Sequence, residues 1–255
     1  MRSLGFLLTR RWILFAITVV LLAYLAFVLG QWQFHRLADR KTSNAITERN
    51  EAADPVPVDR VLAPGRPVAA TDEWLLVTAT GTYDVADTVI VRYRTREGSS
   101  GVDVVVPLTR TDGATLLVDR GWLQTGNGAA RPDDVPPPPA GEVTVTGWVR
   151  ADADGDSTRV TDNSTRAVSS VAIGEALGRQ VLGGFVELKS EDPEPARALM
   201  RVELPDLGTG PHFFYGLQWW FFGLLALFGF GYLAWDEWRT PRSLRQGTRA
   251  SAKSR

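Results

Sequence analysis

His35 and His212 are the only histidines in this 255-residue chain, and it has no cysteine. Few side chains are therefore able to act as a base, nucleophile or soft metal ligand near neutral pH. His212 opens the run "PHFFYGLQWW" (Pro211 to Trp220). On a helix, Tyr215, Gly216 and Trp219 follow it on one face. Gly223 and Ala226 continue that face with small side chains, and Phe230 ends the stripe. Gln218 places a polar amide inside the apolar run, where such groups tend to face a partner or a cavity. This face suits two kinds of chemistry. One is close docking of another helix in lipid. The other is contact with a flat apolar macrocycle whose iron takes an axial imidazole. His35 lies just past an earlier apolar run. The two histidines could meet at one membrane surface, but helix rotation decides this and the sequence leaves it open.

The remaining polar clusters carry less. Asp152, Asp154 and Asp156 copy the opening of a calcium loop, but the sixth position is Ser157 and the twelfth is Asn163, where glycine and a bidentate glutamate are needed. A solvated turn is the better reading. Asp133 and Asp134 sit beside prolines, and Asp236 and Glu237 sit at a helix end. "DRGW" (Asp119 to Trp122) follows an apolar strand, which predicts Trp122 in the core and Arg120 paired to a carboxylate. The alternative is a partner contact, since Trp and Arg are frequent at binding hot spots. No Gly-x-Ser-x-Gly or His-Glu-x-x-His motif occurs, and no nucleophile–base pair can be assembled. The expectation is a protein that is not an enzyme. Two Met, two His and no Cys also argue against a copper or zinc chaperone. Nucleic acid is not an expected partner.

The elements that must position these residues begin with two charge-free blocks, Trp12 to Gly30 and Phe213 to Trp235. At 1.5 Å per residue they reach roughly 28 and 35 Å, enough for a hydrocarbon core of about 30 Å. The first block exceeds a signal-peptide core and no Ala-x-Ala site follows, so it reads as a retained anchor. Nine of the 28 basic residues lie outside the segment between the helices: Arg2, Arg10, Arg11, Arg239, Arg242, Arg245, Arg249, Lys253 and Arg255. Only Asp236 and Glu237 of the 29 acids do, so the middle carries 19 basic and 27 acidic residues. Basic flanks and an acidic middle predict a multi-pass protein of the cell membrane, with both termini cytoplasmic and the middle on the outer face. Arginine outnumbers lysine heavily, a bias of GC-rich bacterial genomes.

The organisation expected is a cytoplasmic segment (1–11), a transmembrane helix (12–30), an exported β-rich domain (31–210), a second transmembrane helix (211–235) and a basic cytoplasmic tail (236–255). The fold class is thus a membrane protein of α+β type, two helices flanking a β-rich exported domain. Helical spacing of Phe34, Leu37, Ala38, Ala45 and Ile46 extends the first helix beyond the membrane, until Pro55 and Pro57 stop it. "EWLLVTATGTYD", "DTVIVRYR", "VTVTGWVR" and "GFVELKSED" read as strands. "GVDVVVPLTR" and "TLLVDRGWLQ" flank Asp112-Gly113, a hairpin signal. "RPDDVPPPPAGE" reads as a stiff spacer, and "SSVAIGEALG" as a short helix closed by glycine.

In order along the chain, "GQWQFHR", "GTYD", "VVVPL", "LLVDRGWL" and "PHFFYGLQWW" resemble the surfeit locus protein 1 family, which assists biogenesis of cytochrome c oxidase. The ordered set carries the resemblance, above all His212, Tyr215, Gln218 and Trp219. Trp32, Gln33 and Arg36 match its first-helix motif, and Gly81, Tyr83, Arg120, Gly121 and Trp122 its domain motifs. The resemblance implies a respiratory-chain assembly factor, a chaperone that helps insert haem A into the oxidase's haem-bearing catalytic subunit. Its partners would be the oxidase subunits, with haem A synthase as a further one, and the lipid bilayer. His212 falls at the histidine proposed to associate with haem in bacterial members, and Tyr215, Gln218 and Trp219 line up with it. His35 lies outside the pattern, so a bis-histidine site rests on its position alone. The alternative function is a permanent accessory subunit of the oxidase or of a respiratory supercomplex, with no haem contact.

Overall fold

A computed structural model describes residues 4–126, 130–131 and 134–239. Arg2, Asp133 and the basic residues Arg242, Arg245, Arg249, Lys253 and Arg255 lie outside the described residues. The chain divides into two compact units, one drawn from Met1–Ser43 and Gly208–Arg255, the other from Asn44–Leu207.

The first unit is an antiparallel pair of helices. Helix α1 covers Arg10–Glu51 and α3, the last helix of the chain, covers His212–Arg239. α1 runs unbroken past Gly30, as the apolar spacing beyond the first block predicts. Both helices are long and apolar enough to cross a membrane, with mean hydropathies of 2.7 and 1.4 in their most apolar windows. Most large apolar side chains on them are exposed, including Leu21, Leu25, Phe214, Leu224 and Phe228. The seam between them is aromatic and small. Trp12 and Phe15 meet Phe230 at ring distances of 5.8 and 5.3 Å. Ala23 and Ala26 lie against Gly223. Trp220 stacks on Phe27 at 6.2 Å and tilts onto Phe34 at 4.9 Å. The small stripe expected on α3 is real, and α1 of the same chain occupies it: Gly216 and Gly223 are its buried positions.

The second unit is a closed β-barrel with attachments. Its elements are β1 (Val56–Pro57), β2 (Leu76–Tyr83), β3 (Val89–Arg96), β4 (Ser99–Arg110), β5 (Thr115–Gln124), β6 (Glu142–Arg150), β7 (Ser164–Thr165), α2 (Ser170–Leu177) and β8 (Phe185–Asp192). The hydrogen-bonded order is β1-β2-β6-β8-β5-β4-β3-β7, and β2 also pairs with β4. That last pairing closes five strands, β2-β6-β8-β5-β4, into a ring. Their inward side chains, among them Val77, Val106, Leu108, Leu116, Val118, Val145 and Leu188, form one core. The outer face of β3, β4, β5 and β8 is also covered. Val89, Val91, Val105, Leu117 and Phe185 pack there with Ile173 of α2. Burial on both faces explains why "VVVPL" is continuously apolar rather than alternating. The β4–β5 hairpin turns at Gly113 (φ 84°), as Asp112-Gly113 predicts.

Two readings need correction. The proline run is more than a spacer: Val135 packs against the barrel core, and Ala130, just before the run, is buried in it. Asp152 is more than part of a solvated turn, because its Oδ1 accepts from the Ser170 N–H at 2.7 Å in the first turn of α2. Asp154 and Asp156 remain exposed.

Closure depends on Gly81. It pairs with Arg110 across the β2–β4 seam, and a Cβ there would lie 2.4 Å from the Thr109 carbonyl oxygen. That contact is with backbone, so the seam itself must open to accept a side chain. Gly81→Val should lower the melting temperature of the full-length protein by several degrees, in line with overpacking costs of about 1–3 kcal/mol. Thr80→Ala, which removes only an exposed cross-strand contact with Thr144, should shift it far less. Thermal circular dichroism in detergent compares the two.

Candidate functional site

α3 begins at His212 after a Gly210-Pro211 bend. Its imidazole Nδ1 lies 2.8 Å from Gln33 Oε1 on α1. With the amide oxygen as acceptor, the ring proton sits on Nδ1 and the lone pair on Nε2. Among the described residues, Nε2 has no protein partner. Gly210 lies beside that ring edge, and a Cβ there would reach 3.4 Å from Cδ2 and 3.6 Å from Nε2. A glycine leaves the edge uncovered. The result is an oriented, unengaged nitrogen with an amide behind it, the arrangement that fixes histidine tautomers in metal sites.

The neighbouring residues divide by angle. At about 100° per residue, Gly216, Trp220 and Gly223 turn from His212 toward α1, and they form the seam. Tyr215 and Trp219 turn the other way. Tyr215 is 46% exposed, and Trp219 is half-buried, with its ring 6.2 Å from Phe222. His212, Tyr215 and Trp219 thus form a partly open aromatic flank beside the seam. Gln218 is exposed and makes no side-chain hydrogen bond among the described residues. His35 does not join His212. Two residues from Gln33 on one helix, it points about 200° away and is exposed. Trp32 and Arg36 are exposed as well. The sequence leaves open whether the two histidines meet, and it does not reveal that Gln33 takes the place at the interface. It also missed Trp220 and Phe34, which build the floor of the seam.

The domain-motif residues gather inside the barrel unit. Arg120 is fully buried. It bonds Glu191 Oε1 at 3.4 Å and donates to the Pro136 carbonyl at 3.1 Å, and it lies 5.5 Å over the Tyr83 ring. The Tyr83 hydroxyl donates to Glu191 Oε2 at 2.9 Å. Arg201 donates to Glu191 Oε1 at 3.2 Å and to the Arg120 carbonyl at 2.8 Å. Burial, reinforced by the Glu191 charge, pushes the Tyr83 phenol far above its ordinary range, so it stays a neutral donor. Trp122 is 4% exposed, and its backbone exchanges hydrogen bonds with Met200. Gly121 has φ 124°, and a Cβ there would meet the Met200 carbonyl at 2.4 Å. These five motif residues therefore close the barrel and fasten the 199–201 segment to it. The core reading of "DRGW" holds over the partner-contact one. Glu191 and Arg201 escaped notice, although an acid at an inward strand position is the available signal.

Among the described residues, no three His, Asp or Glu side chains are placed to hold a metal ion.

A hairpin of two apolar helices carrying one braced imidazole, with a closed barrel built from the sequence between them, defines a two-helix barrel protein. A model of the SURF1 family matches residues 20–224. An uncharacterized SURF1-like protein of Mycobacterium bovis and two of Mycobacterium tuberculosis are each 32% identical over 255 residues, covering 97% of this chain and 92% of theirs. The chain belongs to the SURF1 family, known in general as cytochrome oxidase assembly factors.

Proposed function

We propose that this protein helps insert haem A into the catalytic subunit of cytochrome c oxidase, holding the cargo transiently at the outer surface of the cell membrane. Both apolar helices span the bilayer, the intervening domain lies on the outer face, and the flanking segments are cytoplasmic. The charge distribution supports this orientation. The role is binding and hand-over, and no bond is made or broken by the protein itself.

The observation that carries the reading is the His212–Gln33 pair. Haem iron accepts an axial imidazole nitrogen, and Nε2 of His212 is the atom left for it. Tyr215 and Trp219 supply aromatic surface beside it for a flat ring. The donor set fits a single axial contact and no more, because His35 points elsewhere. A one-ligand site suits cargo that must leave. The oxidase subunits, chiefly the haem-bearing one, and haem A synthase are the partners in this account.

Deleting the gene should lower assembled, spectrally competent oxidase several-fold while leaving total haem A in the membrane unchanged. Loss of haem A itself would place the protein in synthesis instead. Stoichiometric co-purification with mature oxidase would replace the transient role with that of a permanent subunit.

A further inference from the structure

A row of charged side chains crosses the outer face of the barrel unit, away from the Arg120 network. Two β-bulges create the space for it. One lies in β3 between Val91 and Arg94, where Tyr93 has φ 64°. The other lies in β5 between Asp119 and Trp122, opposite Asp103 to Val105 of β4. Between them opens a cavity of about 310 Å³, lined among others by Tyr93, Arg94, Asp103, Asp119, Phe185 and Glu187.

The order of charge along the row is informative. Arg94 and Arg96 on β3 hold Asp103 on β4 at 2.9 and 3.3 Å. At the far end Arg150 on β6 holds Glu187 on β8 at 3.2 Å. Asp119 on β5 stands between, in register with Glu187. It is 97% buried, being only 3% exposed. Among the described residues, its one side-chain hydrogen bond is accepted by Oδ1 from the Gly121 N–H at 3.0 Å. Among the described residues it makes no ion pair and Oδ2 accepts no hydrogen bond, and Arg96, which also lines the cavity, acts on it only as a weaker, more distant positive charge. The arginines stand at the two ends and the carboxylates in the middle. Burial, then the charges of Asp103 and Glu187, hold the Asp119 carboxyl well above the usual carboxylate range. The local field at Asp119 therefore calls for positive charge.

We infer that this cavity is a binding site for an organic cation, a guanidinium or ammonium group that pairs with Asp119 between Asp103 and Glu187. A metal ion is the poorer fit, since Asp103 and Glu187 are already engaged by arginines and no three ligands converge. Tyr93, 70% exposed at the rim, already has the Arg166 guanidinium 5.3 Å over its ring, so the pairing rests on Asp119. The cation has two sources, a free small amine or a basic side chain of a partner protein.

The test is calorimetric titration of the full-length protein in detergent with agmatine and, separately, with acetyl-Gly-Arg-Gly-amide. Wild type should bind at least one of them, and Asp119→Asn should weaken that binding by at least about tenfold, the loss of a charge-assisted bond. Asp154→Asn, an exposed control, should bind as wild type does. Tighter binding of agmatine assigns a free amine, and tighter binding of the peptide assigns a partner side chain; both support the site. A thermal melt checks folding of the Asn variant, whose side-chain oxygen can still accept from the Gly121 N–H. Binding that strengthens with pH in wild type and not in the variant gives a second readout. Failure of both probes to bind wild type, or equal affinity in Asp119→Asn, overturns the inference. Either result leaves the haem proposal untouched.

Discussion

Glu191→Ala unfolds the barrel unit at a temperature roughly 10 °C below wild type. Glu191 is 4% exposed and holds three donors at once, Tyr83, Arg120 and Arg201. Removing it strands the Arg120 guanidinium in the core. Breaking a buried pair by deleting one partner costs about 3–5 kcal/mol, because the surviving charge is left uncompensated. For a unit of this size each kcal/mol moves the melting temperature by about 2–4 °C. Tyr83→Phe removes one neutral donor to the same carboxylate and should cost less, about 1–3 kcal/mol. Thermal circular dichroism of the full-length protein ranks the two. A Glu191→Ala protein that melts with wild type would show that the network adds nothing to stability.

If the proposed function holds, His212→Ala should abolish haem binding, and Gln33→Leu should weaken it by about 10–100-fold, the usual cost of losing the group behind a ligating histidine. The ordering is the point. In the proposed site His212 would supply the nitrogen, whereas Gln33 would be a positioning residue acting through Nδ1. Gln33→Asn keeps an amide on a shorter arm and should fall between wild type and Gln33→Leu. His35→Ala should change nothing, since His35 is turned away from the site. A structural role for Gln33 alone would lower stability and leave the affinity of the folded protein intact. Spectral titration separates these outcomes, because it reads binding and not yield.

Much of this was legible in the residues. Charge-free blocks announce helices of membrane length, and Asp112-Gly113 announces the hairpin. The β-branched runs mark β2 to β6 and β8, and the small stripe on α3 marks a packing face. What the sequence withholds is which surface meets which. Closure of the barrel rests on β2 pairing with β4 as well as β6, and Gly81 signals that close approach only once the neighbour is known. β1 and β7 are two residues long and leave no pattern. The stripe on α3 does not reveal that its partner is α1. Helix rotation set Gln33, not His35, against His212, and a one-residue difference in phase turns a helix by about 100°. Arg120 announced a carboxylate, but acids stand on four strands, β4, β5, β6 and β8, and only the fold narrows them to Glu191.

The most direct measurement of the central claim is the visible absorption spectrum of the full-length protein, purified in detergent from cells that make haem A, with His212→Ala purified alongside. The account predicts a haem A spectrum in the wild type and its loss in the variant at equal folded protein. A colourless wild type, or a variant that retains the same haem, would contradict it.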